Sequence, residues 1–276
     1  MTSHRRKSGV LVDPDWIAAH LDDPGVRLIE VDVSPAAYRE GHIPGAVLWN
    51  AYGDLRDGGY KPVGRAELER LLSRAGVEKE TTLVFYGHGA PLGFWLMKAQ
   101  GHGDVRMLAG DREQWPASGG EWSTEEPQAA EGSYRLTGEN AGIQASRQAV
   151  EAAIGNPDQV LLDVRSELEF SGERFWPSGA SEDAGRAGRI PGAISVPIDL
   201  LRDDDGSLKD ASELGRLFEA KGVDRQKTVI VYCTIGNRAA QAWFGLSHLL
   251  GYPDVRVYYE SWVEWGKEPD TPIEVG

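Results

Sequence analysis

The chain has 276 residues, enough for two ordinary domains, and its 41% hydrophobic and 26% charged residues suit a soluble globular protein. A formal net charge of −14 argues against general nucleic-acid binding, and no apolar run approaches the ~20 residues of a membrane span. One cysteine, Cys233, excludes an intramolecular disulfide and fits a reducing, cytoplasmic setting.

The basic start, MTSHRRKSGV, lacks the apolar stretch of a signal peptide and reads as a disordered leader. DPDWIAAHL then predicts a short helix with Asp13 or Asp15 near its start. Residues 27–33 read as a strand. GHIPGAV, 41–47, is a turn into a second short strand, 47–49. A helix is expected over 65–74, ended by Gly76, and a strand over 82–86. A loop, a helix at 92–100 and a strand at 105–108 follow. Strands alternating with helices predict parallel α/β layers. From 117 to about 142 the chain is polar, rich in Glu, Gly and Ser, and contains Pro127; 126–142 is the expected linker. Beyond it lie strands at 158–164 and 226–232. A helix then carries Ala239, Trp243, Leu246 and Leu250 on one face, with Gly251 as its stop.

The second set repeats the first. TLVFYG at 82–87 matches TVIVYC at 228–233, 146 positions on. AELERLLSRAGV at 66–77 matches SELGRLFEAKGV at 212–223 at the same offset, and GHIPGAV matches GRIPGAI 147 positions on. Downstream, Asp104 falls on Asp254 and Trp115 on Trp265. The chain is therefore a tandem duplication: a domain at 10–125, the linker, and a domain at 143–276. The second copy carries an insertion, RFWPSGASEDAGRA at 174–187, whose Phe175 and Trp176 could cover a pocket or seal a domain seam.

The copies differ where chemistry is expected. In the second, CTIGNR, 233–238, joins a strand to a helix. Backbone N–H groups of Thr234, Ile235, Gly236, Asn237 and Arg238 can turn inward as a nest. The helix dipole and the Arg238 charge add to it, and Gly236 frees the loop to adopt a left-handed turn. All of these favour a thiolate over the free thiol, whose ordinary pKa is about 8.5, and the same cradle could hold an oxyanion beside the sulfur. The competing reading is a buried structural cysteine. In the first copy the cysteine position is Gly87. The loop, GHGAPLG, is two residues shorter and has no arginine to match Arg238. That half reads as chemically silent, and His88 in its glycine loop needs no special role. No metal-ligand spacing or nucleotide fingerprint occurs.

Two homologous α/β halves, G-x-I-P-G-A in each, LLDVRSELEFSGE at 161–173 and CTIGNR after a strand together resemble the tandem-domain rhodaneses, the thiosulfate sulfurtransferases. The resemblance covers nearly the whole chain. It implies two α/β rhodanese-like domains, each a parallel five-stranded sheet flanked by helices, with only the C-terminal one catalytic. It implies that Cys233 takes the sulfane sulfur of thiosulfate as a persulfide and passes it to cyanide, a thiol or a thioredoxin-like protein. Thr234 to Arg238 would cradle the persulfide, and Asp163, at its strand end, would orient the loop. No metal or organic cofactor is implied, and a monomer is the default.

The chain departs from that pattern in its cations. Thr234 and Ile235 stand where animal enzymes of the family carry basic residues, and Glu169 lies on or near the place of a substrate-contacting arginine. Arg238 is expected to compensate, with Arg174, Arg186 or Arg189 as further candidates. The nearest rival activity is 3-mercaptopyruvate sulfurtransferase; the terminal Arg238 favours thiosulfate. A phosphatase would need a loop one residue longer. A persulfide carrier or regulatory interaction module is the non-enzymatic alternative.

Overall fold

The computed structural model describes residues 9–127, 131–178, 185–203 and 206–276. Most of the basic leader and the centre of the insertion, 179–184, lie outside them. The chain divides into two compact units, Met1–Asn140 and Ala141–Gly276.

In the first unit β1 (Leu11–Val12), β2 (Val26–Asp32), β3 (Val47–Asn50), β4 (Thr82–Tyr86) and β5 (Val105–Leu108) form one parallel sheet in the order β1-β5-β4-β2-β3. Its helices are α1 (Pro14–Ala19), α2 (Ala36–Glu40), α3 (Arg65–Arg74), α4 (Ala90–Ala99) and α5 (Gln114–Ala117). β4 is buried from Leu83 to Tyr86, as a strand covered on both faces must be. The Asp13 side chain caps α1 by accepting from Trp16 N–H at 2.9 Å. α3 matches its predicted bounds because Leu68, Leu71 and Leu72 repeat at helical spacing and are buried, each contributing about 1.5–3 kcal/mol. Gly76 then turns the chain at φ 67°. α4 starts two residues before its expected position; Pro91 fits a first helical turn, where its missing N–H costs nothing.

The expected linker is, over most of its described length, a strap on this first unit. Gly132 N–H donates to Ser73 O at 2.8 Å, Ser133 N–H to Glu78 at 2.8 Å, and Leu136 N–H to Glu69 at 3.0 Å. Tyr134 and Leu136 are buried.

The second unit repeats the plan with β6 (Gln159–Asp163), β7 (Ile194–Ser195), β8 (Thr228–Tyr232) and β9 (Val255–Val257), all parallel, in the order β7-β6-β8-β9. Its helices are α6 (Arg147–Ala153), α7 (Glu167–Phe170), α8 (Ala211–Ala220), α9 (Asn237–Phe244) and α10 (Ser261–Trp265). Five strands were expected here, and among the described residues four form. The fifth place holds a single parallel bridge, Gln144 to Val257. Only Gln144 and Ala145 lie between the 3-10 turn Ala141–Ile143 and the Ser146 cap of α6, which leaves no room for a ladder. α9 runs on into a π-helical turn, Gly245–Leu249. That wider turn rotates the predicted face, so Ala239, Trp243 and Leu246 are buried while Leu250 is half-exposed.

The two cores use matching positions. Leu28, Ile43, Val84 and Tyr86 in one answer to Leu161, Ile190, Ile230 and Tyr232 in the other. Phe175 of the insertion is 5% exposed and belongs to the second unit's own core with Trp262 and Trp265, so it is interior filling, not a cover. Trp176 packs at its edge, 5.2 Å away ring to ring.

Candidate active site

β8 is a β-branched run that delivers Cys233 to the carboxyl edge of a parallel sheet, where ligands of open α/β sheets bind. α9 follows four residues later, with Gly236 as its N-cap at φ 87° and ψ −20°. This left-handed turn points the Gly236 N–H at the Cys233 sulfur, N to Sγ 3.0 Å. The cysteine backbone is fixed from α10. Ser261 Oγ accepts from Cys233 N–H at 3.2 Å, and the N–H groups of Trp262 and Val263 donate to the carbonyls of Cys233 and Thr234 at 3.0 and 2.9 Å. Ser261 has φ 55°, unusual for a residue with a Cβ, while its hydroxyl donates to Tyr258 O at 2.7 Å. Cys233 is fully buried, so the sulfur lies beneath the loop rather than on it. Thr234 and Ile235 are buried as well, and Asn237 is half-exposed.

Arg238 is met by a carboxylate. Its guanidinium meets Glu169 through two bonds of 2.8 Å, Nη1 to Oε2 and Nη2 to Oε1, and Nη2 donates to Thr234 Oγ1 at 2.6 Å. Thr234 donates in turn to Glu169. Glu169 is seated by a capping box at the start of α7: Ser166 N–H and Oγ reach its Oε2 at 3.1 and 2.8 Å. Burial opposes the Glu169 charge. The bonds and charge of Arg238, with Thr234 and Ser166, outweigh it and hold the carboxyl at about 2. Burial likewise works against the Arg238 charge, and the Glu169 bonds raise it above the usual arginine range.

Asp163 does not touch the loop amides, contrary to expectation. Its carboxylate is taken up by Arg165, which is also fully buried: Nη2 to Oδ2 is 2.7 Å and Nε lies 3.0 Å from Oδ1. Arg165 lies over the Trp262 ring at 4.3 Å and donates to Gly188 O at 2.7 Å. Trp262 N–H is the group that holds the Cys233 carbonyl, so Asp163 supports the loop at one remove. The carboxylate that faces the loop is Glu169, whose S-x-x-E capping signature was visible in the sequence but not its distant partners. The arginines in and beside the insertion are engaged elsewhere. Arg186 binds Thr271 O at 2.9 Å, Arg189 binds Gly276 O at 2.6 Å and pairs with Glu274, and Arg174 donates to Pro177 O at 3.4 Å. His88 is exposed in the first unit.

Among the described residues no cluster of three or more His, Cys, Asp or Glu could hold a metal ion. No helix among them is long and apolar enough to cross a membrane.

Comparison with known proteins bears on the family and the fold. The rhodanese-like domain family matches the chain twice, at residues 13–118 and 146–268. The sulfur carrier protein TtuD of Thermus thermophilus is 39% identical over 97% of both chains. A Saccharopolyspora erythraea protein provisionally named a thiosulfate sulfurtransferase is 40% identical over 96% of both. The crystal structure of an anaerobic ergothioneine biosynthesis enzyme from Chlorobium limicola superposes with TM-score 0.85 at 24% identity, covering 98% of this chain and 71% of that one, and so shares the fold. The duplicated sheet, the cysteine loop and these full-length relatives place the chain in the rhodanese family of sulfurtransferases.

Proposed function

We propose that the chain transfers the sulfane sulfur of thiosulfate to a thiophilic acceptor through a persulfide on Cys233. The Cys233 thiolate attacks the outer sulfur of thiosulfate. A new S–S bond forms, the bond to the sulfonate sulfur breaks, and sulfite leaves with the electron pair. The outer sulfur of the resulting persulfide carries the negative charge. An acceptor such as cyanide, a thiol or a thioredoxin-like protein then removes it and restores the thiolate.

The observation that carries this reading is the Gly236 N–H on the cysteine sulfur at 3.0 Å, at the start of α9. An amide donor and the positive end of a helix stabilise anionic sulfur. The first unit, with Gly87 at this position, acts as a structural partner. The loop has four residues between Cys233 and Arg238, one fewer than a phosphatase loop that wraps a tetrahedral phosphate, which argues against phosphatase chemistry. The printed name of the Thermus relative supports a second reading, in which the persulfide is handed to a protein rather than to a small molecule.

Intact mass after exposure to thiosulfate tests the proposal. The wild type should gain one sulfur, lose it to cyanide, and Cys233→Ser should gain none. A wild type that stays unmodified by thiosulfate but loads from 3-mercaptopyruvate would move the activity to that donor. Loaded protein that resists cyanide yet discharges to a thioredoxin-like acceptor would favour the carrier reading.

A further inference from the structure

The Arg238 charge is paired with Glu169 and its Nη2 also donates to Thr234, so the cation the sequence had offered to the anionic end of a sulfur donor is already matched by a carboxylate. A second arginine stands beside it. Arg202 follows the 3-10 turn Ile198–Leu201, which packs against α9. Its Nη2 donates to Oε1 of Gln241, a buried α9 residue three positions, or one helical turn, beyond Arg238. The partner is a neutral amide, and no carboxylate among the described residues forms an ion pair with Arg202. Asp199 adds attraction from the same turn and Arg238 adds repulsion, while burial, the largest influence, lowers the Arg202 pKa. Gln241 therefore orients a half-buried guanidinium without neutralising it.

We propose that Arg202, oriented by Gln241, is the residue that receives the anionic group of the sulfur donor, a sulfonate or carboxylate, beside the Cys233 loop. This inference rests on the persulfide reading of Cys233. During transfer the new S–S bond forms at Cys233 while the anionic fragment departs with its electron pair. Arg202 holds that fragment and takes no part in the bond changes. A planar guanidinium suits both oxyanions, so the chemistry alone does not separate thiosulfate from 3-mercaptopyruvate.

The test is persulfide loading of the full chain, followed by mass, for wild type, Arg202→Gln and Arg202→Lys. The persulfide donors are thiosulfate and 3-mercaptopyruvate; the uncharged donor is an organic trisulfide, whose central sulfur the Cys233 thiolate attacks, so that an alkyl thiolate leaves and a mixed trisulfide of distinct mass, rather than a persulfide, marks Cys233. Arg202→Gln should raise KM about tenfold or more for an anionic donor with kcat changed far less, and should flatten its dependence on ionic strength. Arg202→Lys should recover part of the loss, and the uncharged donor should load all three proteins alike. An effect on thiosulfate alone identifies the sulfonate as the ligand, and an effect on mercaptopyruvate alone the carboxylate. Equal KM values for wild type and Arg202→Gln with both anionic donors would overturn the inference while leaving the Cys233 chemistry intact. So would an equal loss with the uncharged donor, which would mark Arg202 as merely structural. A wild type that loads from no donor would overturn both readings.

Discussion

After β4 three residues lead into α4; after β8 four lead into α9. The frames around these loops are alike. Glu30 and Asp163 hold the same register against Tyr86 and Tyr232, and each tyrosine hydroxyl accepts from the isoleucine of the I-P-G-A turn, at 3.1 and 3.2 Å. Each carboxylate meets a guanidinium that lies over an indole and reaches the glycine carbonyl before that turn. In the second unit it belongs to Arg165, over Trp262. In the first it belongs to Arg112, 3.3 Å from Glu30 and 4.5 Å from the Trp122 ring centre. The loops themselves diverge. Gly89 N–H is closed onto Val31 O at 2.7 Å, whereas Gly236 N–H points at sulfur. Gly87 has φ 88°, and a Cβ there would meet Glu30 Cγ and Val31 O, each at 3.0 Å. The comparison separates the scaffold, common to both halves, from the proposed chemistry, which falls on one loop and the carboxylate that holds it.

The sharpest break in that comparison is at the sulfur. Cys233→Ser should abolish sulfur loading, and Gly87→Cys on that background should not restore it, because the first loop has neither the space nor the amide. Any loading by the double variant, seen by mass, would show the halves to be more equivalent than their loops suggest. Next comes the buried pair. Asp163→Asn strands a fully buried Arg165 charge and should cost about 3–5 kcal/mol in denaturant unfolding. Burial already pushes the Glu30 carboxyl up, against the pull of Tyr86 and Arg112, so Glu30→Gln should cost less, about 1–2 kcal/mol. Equal losses would mean that the two frames are energetically interchangeable.

The pH dependence of the halves should have opposite signs. The Glu169 carboxyl is held at about 2, below its ordinary 4.5, so the stability it contributes is complete above pH 4.5 and is lost as pH falls through about 2. Glu30 is raised above 4.5, so its contribution is complete below pH 4.5 and is lost as pH rises through its folded value. Denaturant midpoints at stepped pH should show a shallower acid limb for Glu169→Gln than for wild type; an unchanged limb would remove Glu169 as its source. The smallest effect is expected at the cap. Ser166→Ala should cost about 1 kcal/mol, read from the same midpoints, and slow loading modestly by loosening Glu169.

Much of this was legible in the chain. β4 and β5 matched their expected bounds, and β8 its expected end, because short apolar runs between turn residues have few alternatives. α3 was fixed by leucine spacing and a following glycine. The cysteine loop was visible from its place between strand and helix. What the sequence hid were pairings across distance. Glu169 and Arg238 lie 69 positions apart, and the S-x-x-E signature of Glu169 marks a helix start without showing what its carboxylate meets. The resemblance turns Asp163 toward the loop, and no local pattern shows that Arg165, two residues on, folds back onto it. The missing fifth strand depended on two residues caught between a turn and a cap.

The guanidinium beside Glu30 comes from downstream of β5, and the one beside Asp163 from the end of β6. What the duplication kept is a socket, and its occupant has been recruited from two different places along the polypeptide. Position-by-position alignment of the halves will therefore score Asp32 against Arg165 as a loss of charge, although the positive centre survives. Ancestral or consensus redesign of either half should treat Arg112 and Arg165 as alternatives and retain one per unit.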